Sequence, residues 1–217
     1  MKKVALIVAG GKGERMNSKV PKQFLLLNNV PILMHTIKRF ANFEEIFLVL
    51  PKSQFDYWNK LCKDSNFSCQ YTLIEGGRTR FQSVKNGLEK IDSGVIVMIH
   101  DGVRPIISKD LIARLIARNK KGTGVVPIIP MKESIRKVEE GKSKHLDRKA
   151  LFQVQTPQCF RSTDIKEAYK TEFSELFTDD ASVLENAGGK IETTLGDEKN
   201  LKITTIEDLK IAELFMQ

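Results

Sequence analysis

The sequence predicts a doubly wound α/β fold on a mainly parallel sheet, and three observations carry that prediction. Strand-like runs recur at Val4–Ala9, Ile46–Leu50, Gln70–Ile74 and Val95–Ile99. Three of them are short continuous apolar runs, as suits strands buried on both faces. Between them, apolar residues return at helical spacing, so strand and helix alternate. In such sheets ligands bind beyond the carboxyl ends of the strands, which directs attention to Gly10–Arg15, Gly76–Ser83 and His100–Pro105.

Taken in order, Val4–Ala9 is the first strand, and it breaks into Gly10, Gly11 and Gly13. Pro31 starts a helix at its first position, with Ile32, Leu33, Thr36, Ile37 and Phe40 on one face. Ile46–Leu50 is a strand stopped by Pro51, and Phe55, Trp58, Leu61 and Cys62 mark the following helix, with Trp58 expected in the core. Gly76-Gly77 end the Gln70–Ile74 strand, and Phe81, Val84, Leu88 and Ile91 line the next helix before Val95–Ile99. After Gly124–Ile129 the pattern changes. Met131–Arg148 is charged, poor in large apolar residues and interrupted by Gly141. On pattern alone a projecting hairpin arm and a disordered loop are evenly matched. Phe152–Phe160 returns to a strand-like pattern, Ser162 can cap a helix to Tyr169, and Thr178–Ser182 runs into a helix N-terminus. Lys190–Leu195 and Leu201–Thr204 read as strands, and Thr205–Met216 as a closing helix with Glu207 and Asp208 in its first turn.

At 217 residues the chain fits one domain with a substantial core. Its 41% hydrophobic and 29% charged residues are ordinary for a globular protein. No apolar run is long enough to span a membrane, and Val4–Ala9 is too short for a secretion signal. Cys62, Cys69 and Cys159 form no Cys-x-x-Cys and read as reduced thiols of a cytoplasmic protein. His35, His100 and His145 are scattered, with nothing nearby to complete a metal-ligand set. The net charge of +8 concentrates in two places. Six Lys/Arg stand against Glu14 in the first 22 residues, and seven against four acids between Met131 and Ala150. With one Trp, three Tyr and no aromatic-basic interleaving, a nucleic-acid platform is poorly supported. Local patches for small phosphates explain the charge more economically.

The stretch Val4–Lys22 concentrates the chemistry. Glycines without Cβ atoms let backbone N–H groups fold around an anion, and Arg15 and Lys22 follow, with Pro21 stiffening the approach to the lysine. It is no P-loop, since it holds no Gly-x-x-x-x-Gly-Lys-Ser/Thr run, and no dinucleotide fingerprint, because Met16 stands where a third glycine belongs. Three glycines alone favour a plain turn at the end of an edge strand. The local excess of positive charge favours a phosphate cradle.

The pieces AGGKGERM with PKQ, GGRTRFQSV, HDGVRP, QTPQCF, FTDDAS and NLKIT occur in that order between residues 9 and 204. Together they resemble the bacterial 2-C-methyl-D-erythritol 4-phosphate cytidylyltransferases. The resemblance implies the nucleotidyltransferase variant of the Rossmann-like sheet and a homodimer formed through a protruding β-arm, here about 131–150. It implies CTP and methylerythritol phosphate as substrates and Mg²⁺ as cofactor. Arg15, Lys22 and Lys202 would be the catalytic cations on the triphosphate. Ala9, Gly10, Gly11, Gly13, Gly77 and Ser83 would bind the nucleotide, Ser83 reading the cytosine edge. Gly102 would lie at the ribose, and Asp101 at the metal–phosphate cluster. Arg104, Thr178 and the arm residue Arg148 would grip the second substrate's phosphate.

Two positions depart from the family pattern. Gly102-Val103 stands where many relatives have two alanines, and Lys199 where many have an acid. His100 is expected to end its strand without acting as a base, because a phosphate monoester with a second pKa of about 6 is already an anion at neutral pH. A ribitol-5-phosphate cytidylyltransferase is the nearest alternative, sharing fold, loop and nucleotide. A catalytically silent, basic RNA-binding or scaffolding protein of the same fold is the alternative from another class. Retention of Arg15, Lys22 and Lys202 speaks against the latter.

Overall fold

The structure, a computed structural model, describes residues 1–11 and 20–217. Arg15 and Gly13 lie outside the described residues. The chain opens with β1 (Lys3–Val8), a single-turn 3-10 segment at Lys22–Phe24, a small hairpin of β2 (Leu26–Leu27) and β3 (Val30–Pro31), and α1 (Ile32–Lys38). Next come β4 (Glu45–Leu50), α2 (Phe55–Asp64), β5 (Thr72–Glu75), α3 (Arg80–Glu89), β6 (Ile96–Asp101), α4 (Lys109–Arg118) and β7 (Thr123–Pro130). The strands β8 (Ile135–Glu139) and β9 (Lys142–Leu146) form a separate hairpin. The chain closes with β10 (Phe152–Val154), β11 (Gln158–Arg161), α5 (Ser162–Ala168), α6 (Asp180–Asn186), β12 (Lys190–Leu195) and α7 (Ile206–Phe215).

Eight strands make the main sheet. Its centre is parallel: β1 pairs with β4 and β6, and β4 with β5. Antiparallel β11 joins β6 to β7, while β10 and parallel β12 flank β7 on opposite sides, since Ile128 pairs with both Val154 and Leu195. The period of two along β1 divides the interior. Ala5 and Ile7 face a core shared with α1, Trp58 of α2 and Leu111 and Leu115 of α4. Val4, Leu6 and Val8 face a second core shared with Phe81 and Val84 of α3, Ile165 of α5 and Val183 of α6. Helices therefore cover both faces, as the alternating pattern predicts. Trp58 is fully buried and stacks with Phe24, whose 3-10 turn contains Lys22.

The sequence reading needs four corrections. Leu201–Thr204 is not a strand. Ile203 N–H donates to Val103 O at 3.0 Å, and the Asp208 carboxylate takes Thr204 and Thr205 N–H in the cap of α7. Phe152–Phe160 is two strands, interrupted at Gln155–Pro157 around a cis Thr156–Pro157 bond. Ser162 does not cap α5; it is buried within that helix and accepts Val95 N–H instead. Pro31 precedes the first residue of α1, which leaves its fixed φ in the cap.

Met131–Arg148 contains the predicted hairpin, turned at Glu140 and Gly141 with φ of 49° and 77°. That geometry is the mirror-image turn that suits tightly twisted strands. Its residues are mostly exposed and charged. At the other end of β6, Gly102 is packed so closely that an added Cβ would lie 2.6 Å from Ala9 Cβ and 3.0 Å from Leu33 Cδ1. Gly102→Ala should therefore lower stability by about 1–3 kcal/mol, the range for overpacking a tight site. The expected observation is a lower urea midpoint at unchanged slope; an unchanged midpoint would show that β1 and β6 separate freely at this point.

Candidate functional site

The carboxyl ends of β1 and β6 and the loop after β5 open onto one cavity of about 530 Å³. Ala9, Gly10 and Gly11 form one wall with Lys22, whose Cε lies within 3.7 Å of where a Gly11 Cβ would stand. Gln23 holds this wall: its side-chain amide donates to Ala9 O at 2.9 Å and to Gln54 Oε1 at 2.7 Å. The loop after β5 supplies Gly77, Arg78 and Thr79, and Thr79 caps α3 by accepting Gln82 N–H. The N-terminus of α3 thus adds its partial positive charge to the cavity wall. Ser83 lines the cavity, buried, donating to Thr79 O at 2.9 Å and accepting Gly77 N–H at 3.1 Å. Its hydroxyl braces the glycine loop.

At the end of β6 the buried Asp101 carboxylate gathers three cations. Lys202 Nζ lies 3.0 Å from Oδ2, Arg104 Nε 3.3 Å from Oδ2, and Arg80 Nε 3.7 Å from Oδ1. Burial opposes the charge on Asp101, but Arg80, Lys202 and Arg104 together hold its carboxyl well below the usual carboxylate range. Lys202 reaches it because Ile203 is turned inward beside Val103, leaving its neighbour at the cavity edge. Arg104 is buried, off the cavity lining, and donates to Asn200 O at 2.8 Å. Arg80 points its other two nitrogens at the fully buried Asp180, at 2.9 and 2.7 Å, and Tyr169 donates to the same carboxylate at 2.6 Å.

Eight of the expected residues therefore converge: Ala9, Gly10, Gly11, Lys22, Gly77, Ser83, Asp101 and Lys202 all line the cavity. Gly102 and Arg104 stand behind its wall. Thr178 is also off the lining, two residues before the Asp180 that holds Arg80. Arg148 is exposed at the base of the hairpin and donates to Lys132 O. The expectations passed over Arg78, Arg80, Gln23 and Thr204, which line the cavity. The two arginines were legible as cations just after a glycine pair that ends a strand.

His100 is fully buried and has no path to a substrate. Its Nε2–H donates to Arg104 O at 3.0 Å, so Nδ1 accepts the Thr156 hydroxyl at 3.1 Å, and Thr156 Oγ1 in turn accepts Asp101 N–H at 3.0 Å. Every ring nitrogen is used in holding the end of β6.

A parallel sheet whose carboxyl ends carry a glycine loop and convergent cations is the architecture of a nucleotide-handling α/β enzyme, and the comparisons narrow it to a nucleotidyltransferase. The chain belongs to the family described as IspD, 2-C-methyl-D-erythritol 4-phosphate cytidylyltransferase, whose model matches residues 3–217. It is 44% identical over 219 residues to the 2-C-methyl-D-erythritol 4-phosphate cytidylyltransferase of Bacteroides fragilis, covering 100% of both chains. It is also 44% identical over 217 residues to that of Porphyromonas gingivalis, covering 99% of this chain and 98% of the relative. Among solved structures, the Francisella tularensis enzyme of that name superposes with a TM-score of 0.82 at 30% identity, covering 99% of each chain.

Burial pushes the His100 imidazole down to about 4. The unfolded chain, with histidine near about 6.5, binds a proton that the folded chain refuses, so stability is complete above that value and falls as pH drops toward 4. The loss attributable to His100 should reach ~3 kcal/mol. Urea midpoints at neutral and mildly acid pH check this. His100→Gln should flatten the slope over that window, and an equally steep slope in the variant would assign it to other groups.

Proposed function

We propose that the chain transfers CMP from CTP to 2-C-methyl-D-erythritol 4-phosphate, releasing pyrophosphate. The observation that carries this is the convergence of Lys22, Lys202 and the Gly10-Gly11 backbone on one cavity at the sheet's carboxyl end. A phosphate oxygen of the alcohol phosphate attacks the α-phosphorus of CTP in line; the bond to the β-phosphate bridging oxygen breaks, and pyrophosphate leaves with that electron pair. Transfers of this kind rest on positioning and on neutralising charge on the leaving group. Lys22 and Lys202, with Arg15, supply the neutralisation. The Gly77 loop braced by Ser83, together with the Ala9 backbone, reads the cytosine edge. Gly102 stands near the ribose by holding the end of β6 against Ala9, and Arg104, Thr178 and Arg148 bind the second phosphate.

Mg²⁺ fits this site. Asp101 is the carboxylate among the described lining residues, and it is kept ionised at the cavity edge. A magnesium ion needs one or two carboxylates and the phosphates it arrives with. When bound it would neutralise triphosphate charge.

The whole chain acts as one nucleotidyltransferase domain with an arm over about 131–150. We place it in the cytoplasm, on the three free thiols of Cys62, Cys69 and Cys159. Among the described residues no helix is long and apolar enough to cross a membrane.

The test of the reaction is pyrophosphate release with CTP, Mg²⁺ and each alcohol phosphate in turn. Methylerythritol phosphate should be turned over, and ribitol 5-phosphate far more slowly. Turnover confined to ribitol phosphate would overturn the substrate assignment.

A homodimer accounts for the far edge of the sheet. Phe152, Val154 and Leu195 are exposed by 46, 47 and 69% where β10 and β12 flank β7, next to the base of the hairpin. Exposed apolar side chains on β10 and β12 beside a charged arm suit a second copy of the chain, with each arm bringing Arg148 to the partner's cavity. Mixing Arg148→Ala chains with Lys22→Ala chains tests this. Exchange in trans should restore about a quarter of wild-type sites, since half the dimers are mixed and each holds one intact site. No recovery despite demonstrated subunit exchange would place Arg148 in its own chain's site.

A further inference from the structure

We propose that Asp180, with Tyr169, is a positioning residue that governs Lys202 through Arg80 and Asp101; the catalytic part of this rests on the nucleotidyl-transfer reading above. Four contacts form the relay. Tyr169 donates its hydroxyl to Asp180 Oδ1 at 2.6 Å. Asp180 binds the Arg80 guanidinium in two-pronged fashion, NH1 to Oδ1 and NH2 to Oδ2. That leaves only Nε of Arg80 directed at Asp101, at 3.7 Å from Oδ1. Asp101 Oδ2 is then available to Lys202 at 3.0 Å.

The physical logic is competition for one carboxylate. A planar guanidinium prefers a two-pronged partner, and Arg80 has a choice of two acids. Asp180 is fully buried on the first turn of α6, and its neighbours are pinned: Gln158 donates to Asp179 Oδ2 at 2.7 Å and accepts Ala181 N–H at 2.8 Å. It is therefore the rigid partner, and it holds Arg80 back from a two-pronged grip on Asp101. Lys202, half-exposed at the cavity edge, keeps its place because Arg80 is occupied elsewhere. Asp180 thus acts on the catalytic lysine without lining the cavity.

Asp180→Asn tests the relay. In its crystal structure Arg80 should turn its terminal nitrogens onto Asp101, and Lys202 Nζ should move beyond about 4 Å from that carboxylate, past the reach of an ion pair. An unchanged Asp101–Lys202 contact would overturn the proposal, whatever the activity. In turnover with CTP and methylerythritol phosphate, kcat should fall about tenfold, within the range seen for coupled residues, and the same substitution should cost little in a Lys202→Ala background. Equal losses in both backgrounds would make Asp180 merely structural. Tyr169→Phe keeps the ring stacked on Phe81 at 4.7 Å and removes only the hydroxyl. It should give a smaller loss with the same dependence on Lys202, and it serves if Asp180→Asn does not fold. A wild-type protein without cytidylyl transfer would defeat the functional reading and leave the crystallographic test standing.

Discussion

Asp101 stands where β6 leaves the sheet, and a carboxylate buried there is stable only if cations and hydrogen bonds replace the water it has lost. Arg80, Arg104 and Lys202 replace it from three directions, and Thr156 holds its backbone N–H. The start of α3, the loop after β6 and the stretch before α7 come from separate parts of the chain. They meet at the cavity because each brings a cation to the same acid. The resulting positive charge is held in place before any substrate arrives, which is what electrostatic stabilisation of a transfer reaction requires.

The elements legible in the sequence were those whose pattern reports burial directly. Val4–Ala9 and Val95–Ile99 are continuous apolar runs because helices cover both sides of β1 and β6, and period and structure agree there. Leu201–Thr204 misled for a definite reason. It alternates inward Ile203 with outward Lys202 as a strand would, but its backbone is engaged by Val103 and by the Asp208 cap, not by a neighbouring strand. Phe152–Phe160 read as one strand because periodicity does not register the break at Gln155–Pro157. The short antiparallel insertion of β11 between β6 and β7 was equally hidden, since strand order is decided by tertiary packing.

At the site, the glycine loop, Lys22, Asp101 and Lys202 were legible because residue type and position after a strand both pointed the same way. The pairing of Arg80 with Asp180 was not. A buried arginine–aspartate pair a hundred positions apart leaves no local mark, and each residue alone resembles an ordinary surface charge. Arg104 was legible from its motif after a strand, and its contacts with Asp101 and Asn200 O, which fix it behind the cavity wall, were not.

The segment Gln155–Gln158 joins the parts of this site by uncharged groups. Gln155 takes Asp197 N–H and gives to Asp197 O, Thr156 serves His100 and Asp101, Asn200 gives to Thr156 O, and Gln158 fixes the start of α6. Amides and hydroxyls neither titrate nor repel an incoming polyanion. This uncharged frame stands beside the ion pairs at Asp101: if entering or departing phosphates loosen the grip of those cations on their acid, the contacts of Gln155, Thr156 and Asn200 still hold the loops together.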